Sequence, residues 1–575
     1  MPLLAVLNSR RRLEELISSG DRPAAVATRT REVAEAAAAC GLPCVHADDV
    51  IAEPERMAIA ARARVLVTAL AGDEVPLLKD VQGLLWWALE WPLQATLVGG
   101  ARTRRLIEAG LRLAPGVSGI VHDAEGWMQG GVTALTAGAL GLPVVGVPRL
   151  VIEAMQAPQD LLVCPLERSS VRLAWRGLPG SPSSGATVAV LLTNEVSYLV
   201  GPMWNAGVDP LAFGMDARQP WKDVDKSGLH PTRIDAEPVP GAAEAELVEP
   251  AWPLPPTTPV EAWEREVAQL MFVTYQPFVR EEAAWTLAAY PAAGVRALFG
   301  GGDNLPEVRA RIAACRRLGV PVVLMQHGAL NRHDRLHHFG GASLVWGRPV
   351  VADLRAEGCR RRLHVVGWPQ ASMFLAAARG SRAARKGRAP WVIVTAFPSF
   401  DISGDPYGRG EVFLRDALRA VREVAPRARI VVKTHPRENG DAVRRFCAEH
   451  GCADAVVAGG PDGWSVIAKA EMVLSAKSTS AFAAVHLGVP VVVYHPSPTP
   501  AWFDRFSEIP VATSYDDLLA ALRQRPSGSG PDAAARYARA DTAAPARVLA
   551  VLRREIRRGL RGSAQVPADA ADTRP

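Results

Sequence analysis

The stretch Leu318-Gly-Val-Pro-Val-Val323 decides the fold class, because its pattern occurs four times in the chain. In each copy an Ala-rich segment is followed by Gly-x-Pro and then by an apolar run. Glycine suits the left-handed C-cap of a helix, and proline prevents the helix from continuing. The Val-rich run has the unbroken apolarity of a parallel strand covered on both faces. The other copies are residues 40–45, 140–145 and 487–492. We therefore predict the α/β class with doubly wound domains.

Length and composition indicate a multidomain globular chain. The chain has 575 residues, and its length gives a prior of about four domains, with three or two also allowed. Hydrophobic residues make up 49% and charged residues 22%, which is ordinary globular usage. This composition excludes a mainly disordered chain, a collagen and a small disulfide-stapled scaffold. Lys and Arg number 65 against 59 Asp and Glu, and the resulting net charge of +6 is too dilute to identify a partner.

Targeting and metal-binding signals are weak. Seven scattered cysteines without paired CxxC motifs argue against a structural zinc site. The apolar start, Met1 to Leu7, is too short for a secretory signal. No apolar run approaches the roughly 18 to 20 residues that span a bilayer. We therefore expect a cytoplasmic protein, and peripheral association with the inner face of the membrane stays open.

Composition also places the domain boundaries. Residues 177–186 are rich in Gly, Pro and Ser, and residues 379–390 are basic, so both are predicted to be linkers. The Pro- and acid-rich residues 230–260 are predicted to be loop. A helix near 532–558 is predicted to cross back onto the preceding domain. The predicted domains are an N-terminal α/β domain of unknown role at 1–176, a second domain at 186–376, a third at 390–560 and a disordered tail at 561–575.

The first candidate site is Gln326-His327-Gly328, directly after the apolar run Val322–Met325. In open α/β sheets ligands bind outside the carboxyl ends of the strands, so polar residues at that point are candidates. A neutral His327 is suited to take a proton from a hydroxyl nucleophile near physiological pH. The alternative is a structural histidine that is hydrogen-bonded to loop backbone. No carboxylate or cysteine nearby has a convincing ligand spacing, so a metal site is not favoured.

The second candidate is the segment Lys433-Thr-His435-Pro-Arg437, after a predicted strand at 428–432. Lysine supplies a point charge and arginine a bidentate one, and the imidazole adds a donor. Together these groups suit a phosphate or a diphosphate. The alternative is a solvated loop with surface salt bridges.

The third candidate is Ser475-Ala-Lys477-Ser478-Thr479-Ser480, which lies between a predicted strand and a predicted helix. Hydroxyl residues at a helix start cap the helix, so Ser478 and Thr479 have a purely structural explanation. The same helix start also offers free N–H groups to an anion, and Lys477 adds charge. Two phosphate-suited loops in one domain predict a nucleotide monophosphate or diphosphate site.

A glycine run, Gly300-Gly301-Gly302-Asp303-Asn304, follows another predicted strand in the second domain. It lacks both the GxGxxG spacing and a Walker lysine, so it is a weak nucleotide motif. We interpret it as a close backbone approach to an acceptor, with Asp303 and Asn304 as polar contacts. A plain strand–helix turn capped by Asp303 or Asn304 explains it equally well.

The order of these motifs resembles the GT-B glycosyltransferases. The similar features are Gln326-His327-Gly328 in one domain, followed in the next by Lys433-x-His435-Pro436, Ser475-x-x-Ser-Thr-Ser480 and Leu487-Gly-x-Pro490. More narrowly, the chain is similar to capsule Kdo and sialic acid transferases, polysialyltransferases and the CDP-glycerol phosphotransferases of teichoic acid synthesis. The resemblance covers about 186–560. It implies two facing Rossmann-like domains, with donor nucleotide at the C-terminal one, acceptor at the other, and no catalytic metal.

The resemblance also implies roles for single residues. His327 becomes the candidate catalytic base, and Gln326, Gly328 and the glycine run with Gly301 lie on the acceptor side. The implied and candidate donor-phosphate ligands are Lys433, His435, Arg437, Lys477, Ser478, Thr479 and Ser480. The chain departs from the capsule Kdo pattern, because Tyr494–Trp502 stands where a Gly- and aromatic-rich segment is expected. It also lacks the Glu-Glu pair expected in non-hydrolysing UDP-GlcNAc 2-epimerases.

These observations predict a metal-independent glycosyltransferase that builds a bacterial surface polysaccharide or glycolipid. A nucleotide-activated donor serves as substrate, CMP-, CDP- or UDP-linked, and no further cofactor is implied. The acceptor is a glycan or a lipid-linked glycan. Two alternatives stay open: a CDP-polyol phosphotransferase on the same scaffold, and a non-catalytic nucleotide- or glycan-binding assembly protein. No RNP, helix-turn-helix or aromatic-interleaved basic motif supports nucleic-acid binding.

Positive charge is concentrated in residues 351–390. This stretch holds nine Lys and Arg against two acids, so its charge of +7 exceeds the +6 of the whole chain. The plain interpretation is a solvated linker. Because the stretch joins the two predicted catalytic domains, we also expect it to attract an anionic glycan acceptor or anionic lipid headgroups. Arg360, Arg361 and Arg362 are its densest part.

Overall fold

The computed structural model describes most of the chain. The described residues are 2–7, 10–28, 31–71, 81–122, 127–144, 171–176, 186–191, 196, 199–213, 230–235, 258–301, 306–326, 328, 340–372, 374–375, 390–395, 410–434, 440–458, 463–476, 478–495, 509–526 and 536–563. They belong to two compact units. One holds the N-terminal sheet, and the other holds two further sheets together with the C-terminal helix. Among the described residues, no helix is long and apolar enough to cross a membrane.

The N-terminal sheet is parallel and has the order β3-β2-β1-β4. Its strands are β1 (Leu3–Val6), β2 (Ala25–Thr28), β3 (Cys44–His46) and β4 (Gly119–His122). The helices of this part of the chain are α1 (Arg10–Ser18), α2 (Arg31–Ala39), α3 (Ala47–Val50), α4 (Glu53–Ala71), α5 (Val81–Leu113) and α6 (Trp127–Ala139). Val6, Ala27 and Ile120 are buried in its core.

The second sheet has eight strands in the order β12-β11-β10-β9-β6-β7-β5-β8. Its strands are β5 (Val171–Arg176), β6 (Ala186–Leu191), β7 (Val208–Phe213), β8 (His230–Asp235), β9 (Val295–Gly301), β10 (Val322–Met325), β11 (Ala342–Val345) and β12 (Arg362–Val365). Helices α7 (Val200–Asn205), α8 (Pro259–Ala292), α9 (Pro306–Arg317) and α10 (Arg348–Ala356) lie in the same stretch of chain. Six neighbouring strands of this sheet are parallel: β12, β11, β10, β9, β6 and β7. Strand β5 runs antiparallel to β7 and β8.

Two expectations about this sheet differ from the structure. The sequence assigned residues 171–176 to the first domain, but β5 pairs with β7 and β8 of the second sheet. The stretch 230–260 was predicted to be loop, yet it contains β8. β8 forms the edge of the sheet and β5 lies next to it, and for both strands pairing with partners distant in sequence overrides local composition.

The third sheet is parallel, with six strands in the order β15-β14-β13-β16-β17-β18. Its strands are β13 (Trp391–Val394), β14 (Ile430–Lys433), β15 (Val456–Ala458), β16 (Met472–Ser475), β17 (Val491–Tyr494) and β18 (Val511–Ala512). The helices along this stretch are α11 (Gly410–Val424), α12 (Gly440–Glu449), α13 (Gly463–Ala468), α14 (Ser480–His486) and α15 (Tyr515–Gln524). The predicted α/β class, with Rossmann-like sheets preceded by an additional N-terminal α/β domain, is confirmed.

The four Gly-x-Pro motifs form the same helix end. Gly41, Gly141, Gly319 and Gly488 have φ values between 63° and 71°, the left-handed region that glycine enters without strain. In each motif the residue after glycine donates its N–H to the carbonyl five positions earlier, as Val489 does to Ala484 at 2.9 Å. This is the Schellman arrangement, and it turns the chain from helix to strand. The predicted glycine caps are therefore confirmed.

The C-terminal helix α16 (Ala544–Ser563) crosses back onto the eight-stranded sheet. Val548, Leu552 and Ile556 are buried in one core with Phe299 and Met325 of that sheet. The segment 536–540 leads into this helix and bonds to the chain after β12 and to the end of α14. The carbonyl of Arg539 accepts from the N–H of Trp368 at 2.8 Å, and that of Ala538 accepts from His486 Nε2 at 2.8 Å. The predicted crossing helix is confirmed.

Candidate functional site

The six-stranded sheet reverses its strand order between β13 and β16. This is the doubly wound order in which ligands bind at the reversal, outside the carboxyl ends of the strands. Val394, the last residue of β13, pairs with Lys433 on one side and with Ser475 on the other. The second and third candidate loops therefore begin at the same level along the strand direction, one on each side of β13. Two strand spacings separate them by about 10 Å, so both loops border one ligand-binding edge.

Lys433 lies at this edge with its side chain half-buried. Its ammonium nitrogen is 5.9 Å from the centroid of the Trp464 ring, within the range of a cation–π contact. Trp464 lies at the start of α13 and was not singled out from the sequence, because a lone tryptophan beside a glycine carries no recognisable signal. Its ring packs edge-on against Trp368 at 5.9 Å, and Trp368 stacks on Trp346 at 4.9 Å. The lysine is thus held against an aromatic cluster.

The loop after β16 carries three hydroxyl side chains that differ in hydrogen bonding and burial. Ser478 Oγ accepts a hydrogen bond from the Ser480 N–H at 3.3 Å, so Ser478 has the structural role that the sequence allowed for it. Thr479 precedes α14 in a helical conformation and its side chain makes no capping hydrogen bond. Ser480 is buried, whereas Ser478 and Thr479 are half-buried. Because α14 spans only seven residues, the side-chain hydroxyls are the more substantial feature of this loop.

The first and third candidate loops meet. Gly328 has φ = +69°, and a Cβ added to it would lie 3.1 Å from Thr479 Oγ1. Glycine is favoured here for two reasons: its backbone is left-handed, and a side chain would make a tight contact with the threonine hydroxyl. Gly328 follows β10 of the eight-stranded sheet, and Thr479 follows β16 of the six-stranded sheet. The structure therefore brings together two loops that lie 151 positions apart in the chain.

Gln326 links the end of β10 to Gly328 and to Trp346. The side chain is fully buried; its Nε2 donates to the Gly328 carbonyl at 2.9 Å, and its Oε1 accepts from the Trp346 N–H at 2.9 Å. Its own N–H donates to the Leu344 carbonyl at 2.9 Å, which ties the end of β10 to β11. The amide engages backbone groups at both ends, so Gln326 acts on the loop rather than as a free polar group.

The glycine run also begins at a reversal of strand order. β9 pairs with β6 on one side and with β10 on the other, and Gly300 is aligned with Leu191 and Leu324. Gly301 is buried and is aligned with Met325, one residue before Gln326. The predicted acceptor glycine and the Gln326 turn therefore share one edge of the eight-stranded sheet. Six of the predicted site residues lie outside the described residues: Asp303, Asn304, His327, His435, Arg437 and Lys477.

Comparison with known proteins gives likenesses in structure only. No protein-family model matches the chain, and no curated protein matches it. The solved UDP-GlcNAc 2-epimerase from Methanocaldococcus jannaschii, in complex with UDP-GlcNAc and UDP, is 12% identical and covers 64% of this chain and 99% of its own, with a TM-score of 0.41. MurG from Acinetobacter baumannii has 12% identity, the same coverage and a TM-score of 0.38. The wall teichoic acid polymerase TagF has 11% identity, covers 46% of this chain and 82% of its own, and has a TM-score of 0.31. At these values the likenesses assign neither an activity nor a substrate.

Proposed function

We propose that the chain is a nucleotide-sugar-dependent glycosyltransferase of the GT-B type that builds a bacterial surface polysaccharide or glycolipid. The observation that carries the proposal is the approach of Gly328 to Thr479. Each residue follows a strand at the ligand-binding edge of its own sheet. Two such edges in contact suit a reaction in which one sheet binds the donor, the other binds the acceptor, and the reacting atoms meet at the contact.

In the proposed reaction an acceptor hydroxyl attacks the anomeric carbon of the donor sugar. The new C–O bond forms as the bond from that carbon to the phosphate oxygen breaks, and the nucleotide departs with the bonding electrons. His327 takes the proton of the hydroxyl. Negative charge grows on the departing phosphate, where Lys433 and the hydroxyls of Ser478 and Thr479 stabilise it. His435, Arg437, Lys477 and Ser480 are proposed as further donor contacts on the basis of their sequence positions.

Trp464 and Gln326 are proposed to position the groups that carry out this chemistry. The Trp464 ring limits the positions open to the Lys433 ammonium, which lowers the entropy lost when a phosphate binds. Gln326 ties Gly328 to the backbone of Trp346, and we propose that this holds the loop that carries the proposed base. On the acceptor side, Gly301 allows close approach of the sugar to backbone, and Asp303 and Asn304 are proposed to contact its hydroxyls.

The test is turnover by the full chain with a panel of CMP-, CDP-, UDP- and GDP-linked donors. We expect one nucleotide class to be released in the presence of a matched acceptor. His327→Ala should abolish turnover and leave nucleotide affinity unchanged. His450→Ala is the matched control, because His450 lies at the C-terminal end of α12 and bonds to the Phe446 carbonyl. Full turnover by His327→Ala would contradict the assignment of the base.

The same panel separates the two alternatives. Transfer of a polyol phosphate from a CDP-linked donor, with release of CMP, would identify the phosphotransferase. Nucleotide binding without product from any donor and acceptor pair would identify a non-catalytic binding protein.

A further inference from the structure

Helix α16 presents two chemically opposite faces. Val548, Leu552 and Ile556 are at most 4% exposed and belong to the core of the eight-stranded sheet. The opposite face carries four exposed arginines, which are Arg553, Arg554, Arg557 and Arg558. Positions i, i+1, i+4 and i+5 share one stripe of a helix, so the four guanidinium groups lie together. Because the apolar face is already used for packing, this helix offers solvent only its cationic face.

Two more arginines extend this stripe. A Cβ at Gly559 would lie 2.9 Å from the ring of Pro321, and the exposed Arg317 precedes that proline by four residues. Arg362 bonds to Glu555 of the helix at 2.6 Å, and the exposed Arg360 precedes Arg362 by two residues. We call the group the arginine surface, and its members are Arg317, Arg360, Arg553, Arg554, Arg557 and Arg558.

The helix carries little compensating charge on its exposed side. Residues 544–563 contain six arginines and one glutamate, so their net charge of +5 compares with +6 for the whole chain. That glutamate, Glu555, is 1% exposed and accepts from Arg362 at 2.6 Å and from Arg558 at 2.9 Å. The nearest acid along the chain from Arg360 is Glu357. Glu555 is thus buried, while the four arginines stay exposed, although Arg553 also donates to the Ala206 carbonyl and Arg554 contacts His364 Nδ1 at 2.9 Å.

The arginine surface lies at the amino ends of the strands. Pro321 comes just before β10 and Arg360 just before β12, whereas Gln326 follows β10 at its carboxyl end. Because β10, β11 and β12 are parallel, these groups lie at opposite edges of one sheet. The expectation that Arg360, Arg361 and Arg362 attract an anionic glycan acceptor or anionic lipid headgroups stays a prediction. Their place at the amino ends favours the lipid headgroups over a ligand held at the carboxyl ends.

We propose that the arginine surface docks the protein on an anionic lipid bilayer through charge alone. Guanidinium groups bind phosphate bidentately, and basic residues near an anionic membrane surface each add to the attraction. The sequence carries no aromatic-interleaved basic motif on which nucleic-acid bases would stack. The choice of a lipid surface over other polyanions rests on the proposed function, because the lipid part of a glycolipid product would lie in a membrane. The binding itself requires neither donor nor acceptor.

The test is co-sedimentation of the full chain with vesicles. We expect binding to phosphatidylcholine vesicles in which about a third of the lipid is phosphatidylglycerol, and none to phosphatidylcholine alone. Binding should be lost at about 0.5 M salt, because the apolar face of α16 is buried and cannot insert. Each arginine is worth about a fivefold change in partition. The variant Arg317→Gln/Arg360→Gln/Arg557→Gln should therefore lower partition about 100-fold.

A second triple variant provides the matched control. Arg427→Gln/Arg429→Gln/Arg445→Gln makes the same change in net charge with exposed arginines of the six-stranded sheet's domain, and it should bind vesicles like the wild type. Equal loss in both triples, or no binding of the wild type to anionic vesicles, would overturn the proposal. If the first triple variant lost binding to a soluble polyanion such as heparin but bound vesicles like the wild type, the proposal would be overturned in favour of another partner. Calorimetric nucleotide affinity is measured separately on the same proteins, so failure of the proposed function and failure of docking are distinguishable.

Discussion

The N-terminal sheet and the six-stranded sheet arrange their first four strands identically but differ at the carboxyl ends. In both, the third strand lies outermost, then the second, the first and the fourth. The N-terminal sheet ends in Thr28, His46 and His122, which are at most 6% exposed. In the six-stranded sheet Ser475 is equally buried, but Lys433 at the end of β14 and Thr479 in the loop after β16 are half-buried. The shared strand order marks the edge where a ligand would bind, and we expect accessible charged and hydroxyl groups to decide which sheet binds one.

Removal of the Lys433 ammonium should have the largest effect on this difference. A hydrogen bond to a charged group contributes about 1.5–3 kcal/mol, so Lys433→Ala should weaken nucleotide binding about 10- to 150-fold by calorimetry. Thr28→Ala, which changes the corresponding edge of the N-terminal sheet, should leave nucleotide affinity unchanged. Equal affinities of Lys433→Ala and the wild type would remove the six-stranded sheet from the site.

A side chain at Gly328 should separate the two loops that meet there. Gly328→Ala puts an alanine into a left-handed backbone conformation, which costs about 1–2 kcal/mol. It also places a Cβ atom 3.1 Å from Thr479 Oγ1. We expect turnover to fall about tenfold with a smaller change in nucleotide affinity. The double variant Gly328→Ala/Thr479→Ala removes the hydroxyl and should recover part of the turnover. No recovery would mean that the backbone alone requires glycine.

Changes to Trp464 should produce a smaller effect through Lys433. A cation–π contact at a partly exposed position contributes about 0.5–1 kcal/mol. Trp464→Leu should therefore weaken nucleotide binding about two- to fivefold, and Trp464→Phe, which keeps an aromatic ring, should restore most of the affinity. If the leucine and phenylalanine variants bound nucleotide equally well, the ring would have no part in positioning the lysine.

Low pH should destabilise the N-terminal sheet through protonation of His122. Burial lowers the pKa of this imidazole, so the folded protein favours the neutral form. Its contribution to stability is complete above the unfolded pKa of about 6.5 and is lost as the pH falls below that value towards the folded pKa. We expect the melting temperature of the wild type to fall by more between pH 7.5 and about pH 5.5 than that of His122→Gln. Parallel pH profiles would show that His122 is not the group responsible.

Local sequence patterns predicted those parts of the fold that local interactions determine. Glycine followed by proline dictates a helix end, and all four predicted glycines have left-handed backbones. Continuous runs such as Val322–Met325 dictate buried parallel strands, which placed Lys433, Ser475 and Gln326 at strand ends. Strands β5 and β8 are not predicted by these patterns, because their pairing depends on partners far along the chain.

The contacts that make the site were beyond the reach of sequence patterns. No local rule joins Gly328 to Thr479 or Trp464 to Lys433, because each pair forms only when separate elements pack together. The same holds for Gln326: its type and position suggested a substrate contact, whereas its buried amide bonds to Gly328 and Trp346. The sequence gives the net charge of residues 351–390 but not its position. In the sheet, Arg360 lies at the amino ends of the strands.

Hydrogen–deuterium exchange with and without nucleotide tests the central claim most directly. CMP, CDP, UDP and GDP are each added to the full chain at concentrations that raise its melting temperature. We predict slower exchange in residues 430–434 and 472–482, which border the reversal of the six-stranded sheet, and no change in residues 25–28 and 44–46 of the N-terminal sheet. Protection at the N-terminal sheet, or no protection by any nucleotide, would contradict the assignment of the donor site to the six-stranded sheet.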